Sequence, residues 1–468
     1  MPRNRVPRPN GGSPRGAWVY YLLLLGLALL PLPFGAFYQW SWAGLGVLVA
    51  TVALVSLLLN LPNRFPLQVY YKPLWLPALL YLSVVAWLAV QASGLTPDSW
   101  GHAIWRQSAE VLGGSYSAPI SLNPYATRSE LLKLLTYAGV FWLAVLYGRD
   151  RERARTGLWL IGIVGALYAV YGLAAHFTEL GETLWRRKMP SATVSSVFVN
   201  RNLYADYAAF GFLAVFGLIL DAWLSRSNSK HEGIAFWQRL LGGKKSHFLL
   251  LLVLGLVILA ALTLTGSRGG ILSAAIASLA LFLLLVRGQE SKPGNSRQKI
   301  SIGLVVLGAW LVVYVVAGAP LGSRLAETTP ESWAGRLDSY RMLLPAIGAA
   351  PLTGYGAGNS YNVFYLFNDG SLWRALNYAN LYLDAAVNLG IPAAILLIAS
   401  VGLVVLSCFR GVRLRRRDQV FPALGVAVSL HVVLHGFVDS PFYLAANAAT
   451  FSFLMGLAYA QAWPSRRP

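Results

Sequence analysis

Apolar runs of about 17 to 22 residues recur along the whole chain, and they limit the folds that this sequence can adopt. A bilayer core offers no water to backbone groups, so each run must close its hydrogen bonds within a helix. Hydrophobic residues make up 56% of the chain and charged residues 12%, against roughly a quarter charged in a soluble domain. We therefore predict an all-α fold, a polytopic transmembrane helical bundle of about twelve spans.

The predicted spans lie near residues 17–38, 42–61, 73–93, 131–148, 156–176, 203–223, 247–266, 270–286, 300–318, 385–409, 420–438 and 443–462. The short connections between them are basic. One side of the bilayer receives 26 of the 38 Lys and Arg residues if it holds segments 1–16, 62–72, 149–155, 224–246, 287–299, 410–419 and 463–468. By the positive-inside rule that side is cytoplasmic, with both termini. The net charge of +20 therefore reflects topology, and no nucleic-acid partner is predicted.

The chain then divides by topology. A basic cytoplasmic tail (1–16) precedes helices one to nine (17–318), whose outer loops are 94–130 and 177–202. A large outer loop (319–384) is followed by helices ten to twelve (385–462) and a short cytoplasmic tail (463–468). The helical pattern from Trp333 to Ile347 and the turn signals in APLTGYGAGN predict that the 319–384 loop is a partly helical cap.

Arginine occurs at the predicted outer face in three segments, VNRNLYADY, LTGSRGGILS and AGRLDSYRMLLPAI, which contain Arg201, Arg268, Arg336 and Arg341. A guanidinium near the end of a span can simply snorkel to head groups, and this alternative stays open for each of them. Arg268 lies between two spans and is flanked by glycines that allow other groups to approach. Fixed planar donors there suit a phosphate or diphosphate, which indicates a phosphorylated lipid as ligand.

His431 and His435 lie on the predicted span that ends at Asp439. The spacing i, i+4 and i+8 places the three residues on one helical face that leads to the outer surface. A histidine that a carboxylate orients is what a general base for a hydroxyl nucleophile requires. Helix packing is the alternative for both histidines. A metal site is disfavoured, because this set would need further ligands.

Asp206 follows Arg201 by about a turn and a half, so we expect it to hold that arginine.

Six segments, in this order, resemble the O-antigen ligase and polymerase superfamily, membrane proteins of bacterial surface-polysaccharide assembly. They are ISLNPYATRSELLKLLTYAGVF, NRNLYADY, LTGSRGG, GRLDSYRMLLPAIGAAPLTGYGAGN, NLYLDAAVNLGIPA and HGFVDSPFYLAANAATFSFLMGL. The resemblance spans most of the chain, and the ordered set is more specific than any single segment.

The resemblance implies a GT-C-like fold in the bacterial inner membrane, with its active site facing the periplasm. It implies transfer of a glycan from an undecaprenyl diphosphate carrier to a hydroxyl of a glycan, lipid A core or protein acceptor, without metal or nucleotide cofactor. On the same basis Arg201 and Arg268 hold the diphosphate leaving group, and Arg336 or Arg341 supports them.

One position departs from the family pattern. The family's loop usually carries a His-Asn pair before the late span, and this chain has Ala379 and Asn380 there. Either His435, which is similar to a histidine in the terminal motif of some relatives, acts as the base, or Asn377 or Asp384 contributes. A third possibility is that the transfer activity is lost or different. We favour His435.

Ligase and polymerase are not separated by these features, since both use a lipid diphosphate donor. A transporter or flippase of lipid-linked sugars is the alternative from another class, although matching pairs of interrupted spans, the usual sign of a midplane site, are not evident. An inactive assembly scaffold is the third alternative.

Overall fold

The computed structural model describes residues 17–60, 73–97, 99–114, 118–178, 182–183, 186–187, 193–227, 245–287, 308, 310, 330–368, 380–415 and 417–463. The described helices are α1 (Ala17–Leu29), α2 (Gln39–Asn60), α3 (Trp75–Gln91), α4 (Ala103–Leu112), α5 (Pro124–Tyr147), α6 (Arg151–Phe177), α7 (Arg201–Ser227), α8 (Lys245–Leu264), α9 (Arg268–Arg287), α10 (Pro330–Ala349), α11 (Ser360–Phe367), α12 (Leu381–Leu389), α13 (Ile391–Leu414), α14 (Val420–His435) and α15 (Ala445–Ala462). Two-residue strands at Glu182–Thr183 and Arg186–Arg187 form one antiparallel ladder. The predicted all-α bundle is confirmed.

Seven of these helices are long and apolar enough to cross a membrane, namely α2, α5, α6, α7, α8, α9 and α13. Helices α1, α3 and α14 are shorter and also apolar. A described helix is found at each predicted span except the one near 300–318, of which only residues 308 and 310 are described. The hydrophobic length of a span is a local property of the sequence, and this is why its position could be predicted.

Two predicted spans are interrupted. The span predicted at 17–38 ends as helix at Leu29, where the Pro31 and Pro33 turn leads into left-handed backbone at Phe34 (φ 57°). Proline cannot donate to the preceding turn of a helix, so the helix stops there. The span predicted at 385–409 is two helices, α12 and α13, that meet at Gly390 (φ 79°). A Cβ at Gly390 would lie 2.3 Å from the Leu352 carbonyl oxygen, so glycine allows the loop before it to pack against this break.

Helix α15 forms the centre of the bundle. Nearly all of its residues are buried, and it contacts α5, α7, α13 and α14. Small residues permit this packing. A Cβ at Gly456 would lie only 2.5 Å from the Phe141 carbonyl oxygen of α5, so only glycine lets the two helices come this close. This helix carries Asn447, Thr450 and Gln461, and it contacts protein on all sides instead of lipid.

The two long predicted outer loops pack against each other. Leu122, from the first loop, donates its N–H to the carbonyl of Tyr355 in the second, at 3.0 Å. The Gln91 amide, at the end of α3, donates to the carbonyls of Thr353 and Asn388 at 2.7 and 2.9 Å. Helices α10 and α11 therefore form part of an ordered cap, as the turn signals of this loop predicted.

Candidate functional site

Three helix ends meet at one end of the bundle. Helix α7 begins at Arg201, α9 begins at Arg268 and α14 ends at His435, and the three helices contact one another. The first turns of α7 and α9 are close, because a Cβ at Gly270 would lie 2.9 Å from the Cβ of Ala205. The site is therefore built from segments far apart in sequence.

A capping residue directly precedes each of the two arginines. The Asn200 side-chain oxygen accepts the N–H of Asn202 at 2.8 Å, and the Ser267 hydroxyl accepts the N–H of Gly270 at 3.3 Å. Such caps start the helices at Arg201 and Arg268 and place both guanidinium groups in the first turn. Cations are unfavourable at this positive end of a helix, by roughly 0.3–1 kcal/mol each, whereas an anion is stabilised there.

Asp206 lies one turn deeper in α7, between two imidazoles of α14. Its Oδ1 lies 2.6 Å from His435 Nδ1 and 3.0 Å from His431 Nε2. All three side chains are buried, with at most 1% of any of them exposed. The expectation was that Asp206 holds Arg201, and the structure gives its carboxylate these histidines as hydrogen-bond partners. Asp206 Oδ2 has no hydrogen-bond partner among the described residues.

The hydrogen bonds determine which nitrogen of each ring carries a proton. An ionised carboxylate only accepts, so His435 Nδ1 and His431 Nε2 both donate to Asp206. His431 Nδ1 lies 2.9 Å from the Ser273 hydroxyl of α9, which ties the second imidazole to that helix. In neutral His435 the basic nitrogen is then Nε2.

The His435 ring faces the first turn of α9. A Cβ at Gly269 would lie 2.9 Å from His435 Cδ2 and 3.2 Å from Nε2, so glycine at this position allows the imidazole to approach the residue after Arg268. The glycines around Arg268 thus permit the close approach that the sequence indicated.

Residues after α14 close this end of the bundle. Asp439 is buried beyond the end of the helix, its pKa is raised by burial and by the charge of Asp206, and the side chain of Asn202 donates to it. The Asn380 amide donates to the Phe437 carbonyl at 2.8 Å, while its oxygen accepts two N–H groups of the first turn of α12. Asn380 is therefore both a helix cap and a tie to the turn after His435.

The cap also reaches this turn. The Tyr340 hydroxyl of α10 donates to the Phe437 carbonyl at 3.3 Å. Arg341 follows Tyr340 and is exposed, and Arg336 lies one turn earlier in α10, with its side chain outside the described part of the chain. Asn377 also lies outside the described residues.

Asp206, His431 and His435 are also a set that could hold a metal ion, since one ligand atom of each lies within 4.8 Å of the others. The distances of 2.6 and 3.0 Å from Oδ1 to the two nitrogens are those of hydrogen bonds. Ligands of a tetrahedral ion with bonds of about 2.1 Å lie farther apart, at roughly 3.4 Å. Asp206, His431 and His435 therefore have the geometry of a hydrogen-bonded triad.

Residues 248–398 match the family model Wzy_C, described as O-antigen ligase. This segment of the chain is similar to the O-antigen ligase family. The match begins in α8 and ends in α13, and it contains Arg268, Arg341 and Asn380. It confirms the resemblance to the O-antigen ligase superfamily and supports glycosyl transfer by a multi-pass membrane protein in general terms. Comparison with curated proteins gives no match.

The matched segment supplies one side of the site, and other segments supply the rest. Arg201 and Asp206 precede the matched residues, and His431 and His435 follow them. Sequence reasoning missed Ser273 and Asn202. Ser273 follows Arg268 by five residues, as Asp206 follows Arg201. This shared spacing from a first-turn arginine is the signal that could have identified Ser273.

Proposed function

We propose that this protein transfers a glycan from an undecaprenyl diphosphate carrier to an acceptor hydroxyl at the periplasmic face of the bacterial inner membrane, without a metal ion. The observation that carries the proposal is the meeting of two first-turn arginines with an imidazole that a buried carboxylate orients. The first group suits an anionic leaving group, and the second suits proton removal from a hydroxyl.

Arg201 and Arg268 would bind the diphosphate. Negative charge grows on the diphosphate as the bond to the anomeric carbon breaks, so donors fixed in place before the reaction stabilise the transition state more than the ground state. The N-termini of α7 and α9 add their dipoles to the two guanidinium groups. Arg341, and Arg336 by the family resemblance, would support them from the cap.

His435 would be the general base. Its Nε2 takes the proton of the acceptor hydroxyl while that oxygen bonds to the anomeric carbon, and the electron pair of the broken bond leaves with the diphosphate. Asp206 keeps the proton of the ring on Nδ1 and stabilises the imidazolium that forms. His431, bonded to Ser273, donates to the same carboxylate oxygen as His435 and so helps to fix the carboxylate, and Asp439 and Asn380 hold the turn after His435.

The test is a transfer assay with the purified full chain in lipid, supplied with undecaprenyl-diphosphate-linked glycan and scored for carrier release and product size. We expect Arg268→Ala to reduce transfer by about 10²–10³-fold, since a preorganised donor to the leaving group is lost. His435→Ala should reduce the rate by about 10²–10⁴-fold while the carrier still binds. Arg410→Ala, an exposed arginine near the end of α13 and outside the site, is the matched control.

Wild-type turnover by a folded Arg268→Ala variant would remove the diphosphate role. A single added glycan indicates a ligase, and a ladder of products indicates a polymerase. Carrier binding without release, with several acceptors, would instead indicate transport or a scaffold. Transfer should survive EDTA; loss that zinc restores would assign a metal to Asp206, His431 and His435.

A further inference from the structure

An open groove of about 520 Å³ lies where the two predicted outer loops pack together. One wall is α4 and the start of α5, and the other is α11. The lining consists of Ile104, Trp105, Leu122, Asn123, Pro124, Asn362, Tyr365 and Leu366. The volume falls within the roughly 300–1,000 Å³ of small-molecule sites.

The lining defines the chemistry that fits the groove. None of its eight described residues carries a charge, so it does not suit a phosphate or a metal ion. It pairs two aromatic rings with two primary amides, Asn123 and Asn362. Sugar rings present apolar C–H faces that stack on aromatic rings and hydroxyls that hydrogen-bond to amides. A polyprenyl chain would contact the rings but offers no hydrogen-bonding groups to the amides.

Hydrogen bonds from outside the groove hold both walls in place. The Trp105 indole donates to the Ser121 carbonyl at 3.1 Å, and the Asn362 amide donates to Asn359 Oδ1 at 2.9 Å. Tyr365 is 57% exposed, and its hydroxyl lies 2.8 Å from that of Tyr361, with the two rings in edge contact. An aromatic surface of this kind is formed before a ligand arrives.

The groove is connected to the arginine and histidine site through α12. Asn359, at the start of α11, donates its backbone N–H to Asn388 Oδ1 of α12 at 2.9 Å, and Asn380 at the other end of α12 binds the turn after His435. The groove and the arginine and histidine site both lie on the predicted outer side of the bilayer.

We propose that this groove binds the uncharged sugar chain of the substrate beyond the sugar that reacts. The proposal rests on the proposed function, since it takes the ligand to be a glycan whose carrier diphosphate lies at Arg201 and Arg268. The groove sets which sugar sequence is accepted and how the chain is oriented, and the arginines hold the carrier.

The test compares two probes with the full chain in lipid: undecaprenyl diphosphate alone, and the same carrier bearing the glycan isolated from the host. Wild type should bind the glycosylated carrier more tightly. Tyr365→Ala should weaken binding of the glycosylated carrier about tenfold and leave binding of bare carrier unchanged, and Tyr365→Phe, which keeps the ring face, should restore most of the affinity. Tyr38→Ala, an exposed tyrosine outside the groove, is the control.

Equal binding of the two carriers by wild type, or no effect of Tyr365→Ala on either, would overturn the proposal. An equal loss for both carriers would overturn it in favour of the polyprenyl chain as occupant. A failure of the proposed function would be seen in a different measurement. In that case the Arg268→Ala variant would bind bare carrier as tightly as wild type does.

Discussion

Asp206 and Asp384 are carboxylates that the fold shields from water, Asp206 fully and Asp384 in part, and they have different partners. Asp206 accepts from the imidazoles of His431 and His435. Asp384 accepts from the Ser360 hydroxyl, which itself accepts from the Asn388 amide at 2.6 Å. Burial raises the pKa of Asp384 to about 6, and the nearby charge of Glu130 adds to the shift.

The difference shows that burial alone does not identify a chemical site. Imidazoles exchange protons near neutral pH, so the Asp206 cluster can pass a proton to and from a substrate. Asp384 itself titrates near pH 6, but its partners, a hydroxyl and an amide, do not ionise in this range, so the cluster joins α11 to α12 and offers no second group to receive the proton. We therefore expect substitutions at Asp206 to alter the rate and substitutions at Asp384 to alter stability.

Asp206→Asn should produce the largest difference between the two clusters. The amide can present its NH₂ group to His435 and favour the wrong tautomer, so we expect the rate of glycan transfer to fall by about 10²–10⁴-fold. Carrier binding should change little, because the arginines are intact. The measurement is single-turnover transfer alongside a carrier-binding titration. A rate within about twofold of wild type would mean that His435 works without Asp206, or that it is not the base.

Gly269→Ala tests the contact between α9 and His435. The added methyl group would lie 2.6 Å from Val438 Cγ2 and 2.9 Å from His435 Cδ2, so these side chains must move. We expect transfer to fall about tenfold, since a misplaced base loses much of its effect. Gly402→Ala in α13 is the matched control, because a Cβ there meets nothing within 4 Å. Equal activity of the two variants would place the reacting groups away from this contact.

Asp384→Asn should have the smallest effect on transfer, and it should make the folded protein more stable at neutral pH. The folded-state pKa is raised from 3.8 to about 6, so the stabilising contribution of this group is present below about pH 4 and lost as the pH rises to 6. Asparagine keeps an acceptor for Ser360 without this loss, and the variant should be more stable at pH 7 by about 1–3 kcal/mol.

Thermal unfolding of the full chain in lipid between about pH 4 and 8 checks this prediction, with Glu110→Gln, an exposed carboxylate of α4, as control. The midpoint of wild type should fall between about pH 4 and 6 more steeply than that of the Asp384→Asn variant. A variant less stable than wild type at pH 7, or one that lost transfer as Asp206→Asn does, would erase the distinction between the two clusters.

Much of the site could be predicted from sequence, and the limits have physical causes. Arg201, Arg268 and His435 stand out because a charged or titratable group near the end of an apolar run is costly and needs a reason. The partner of His435 could not be predicted, since the i+4 spacing along the predicted span favoured Asp439, while Asp206 is on a helix that precedes His435 by more than 200 residues. Spacing along one helix carries no information about which neighbour it meets.

The helices themselves were determined by the sequence alone, because a run long enough to cross a bilayer must satisfy its backbone hydrogen bonds locally. Only the tertiary structure decided that α15 is enclosed by other helices, that the late span breaks at Gly390, and that Asp206 lies between two imidazoles. Each of these depends on close packing between helices distant in sequence, where small residues and polar groups select the neighbours and hydrophobicity does not.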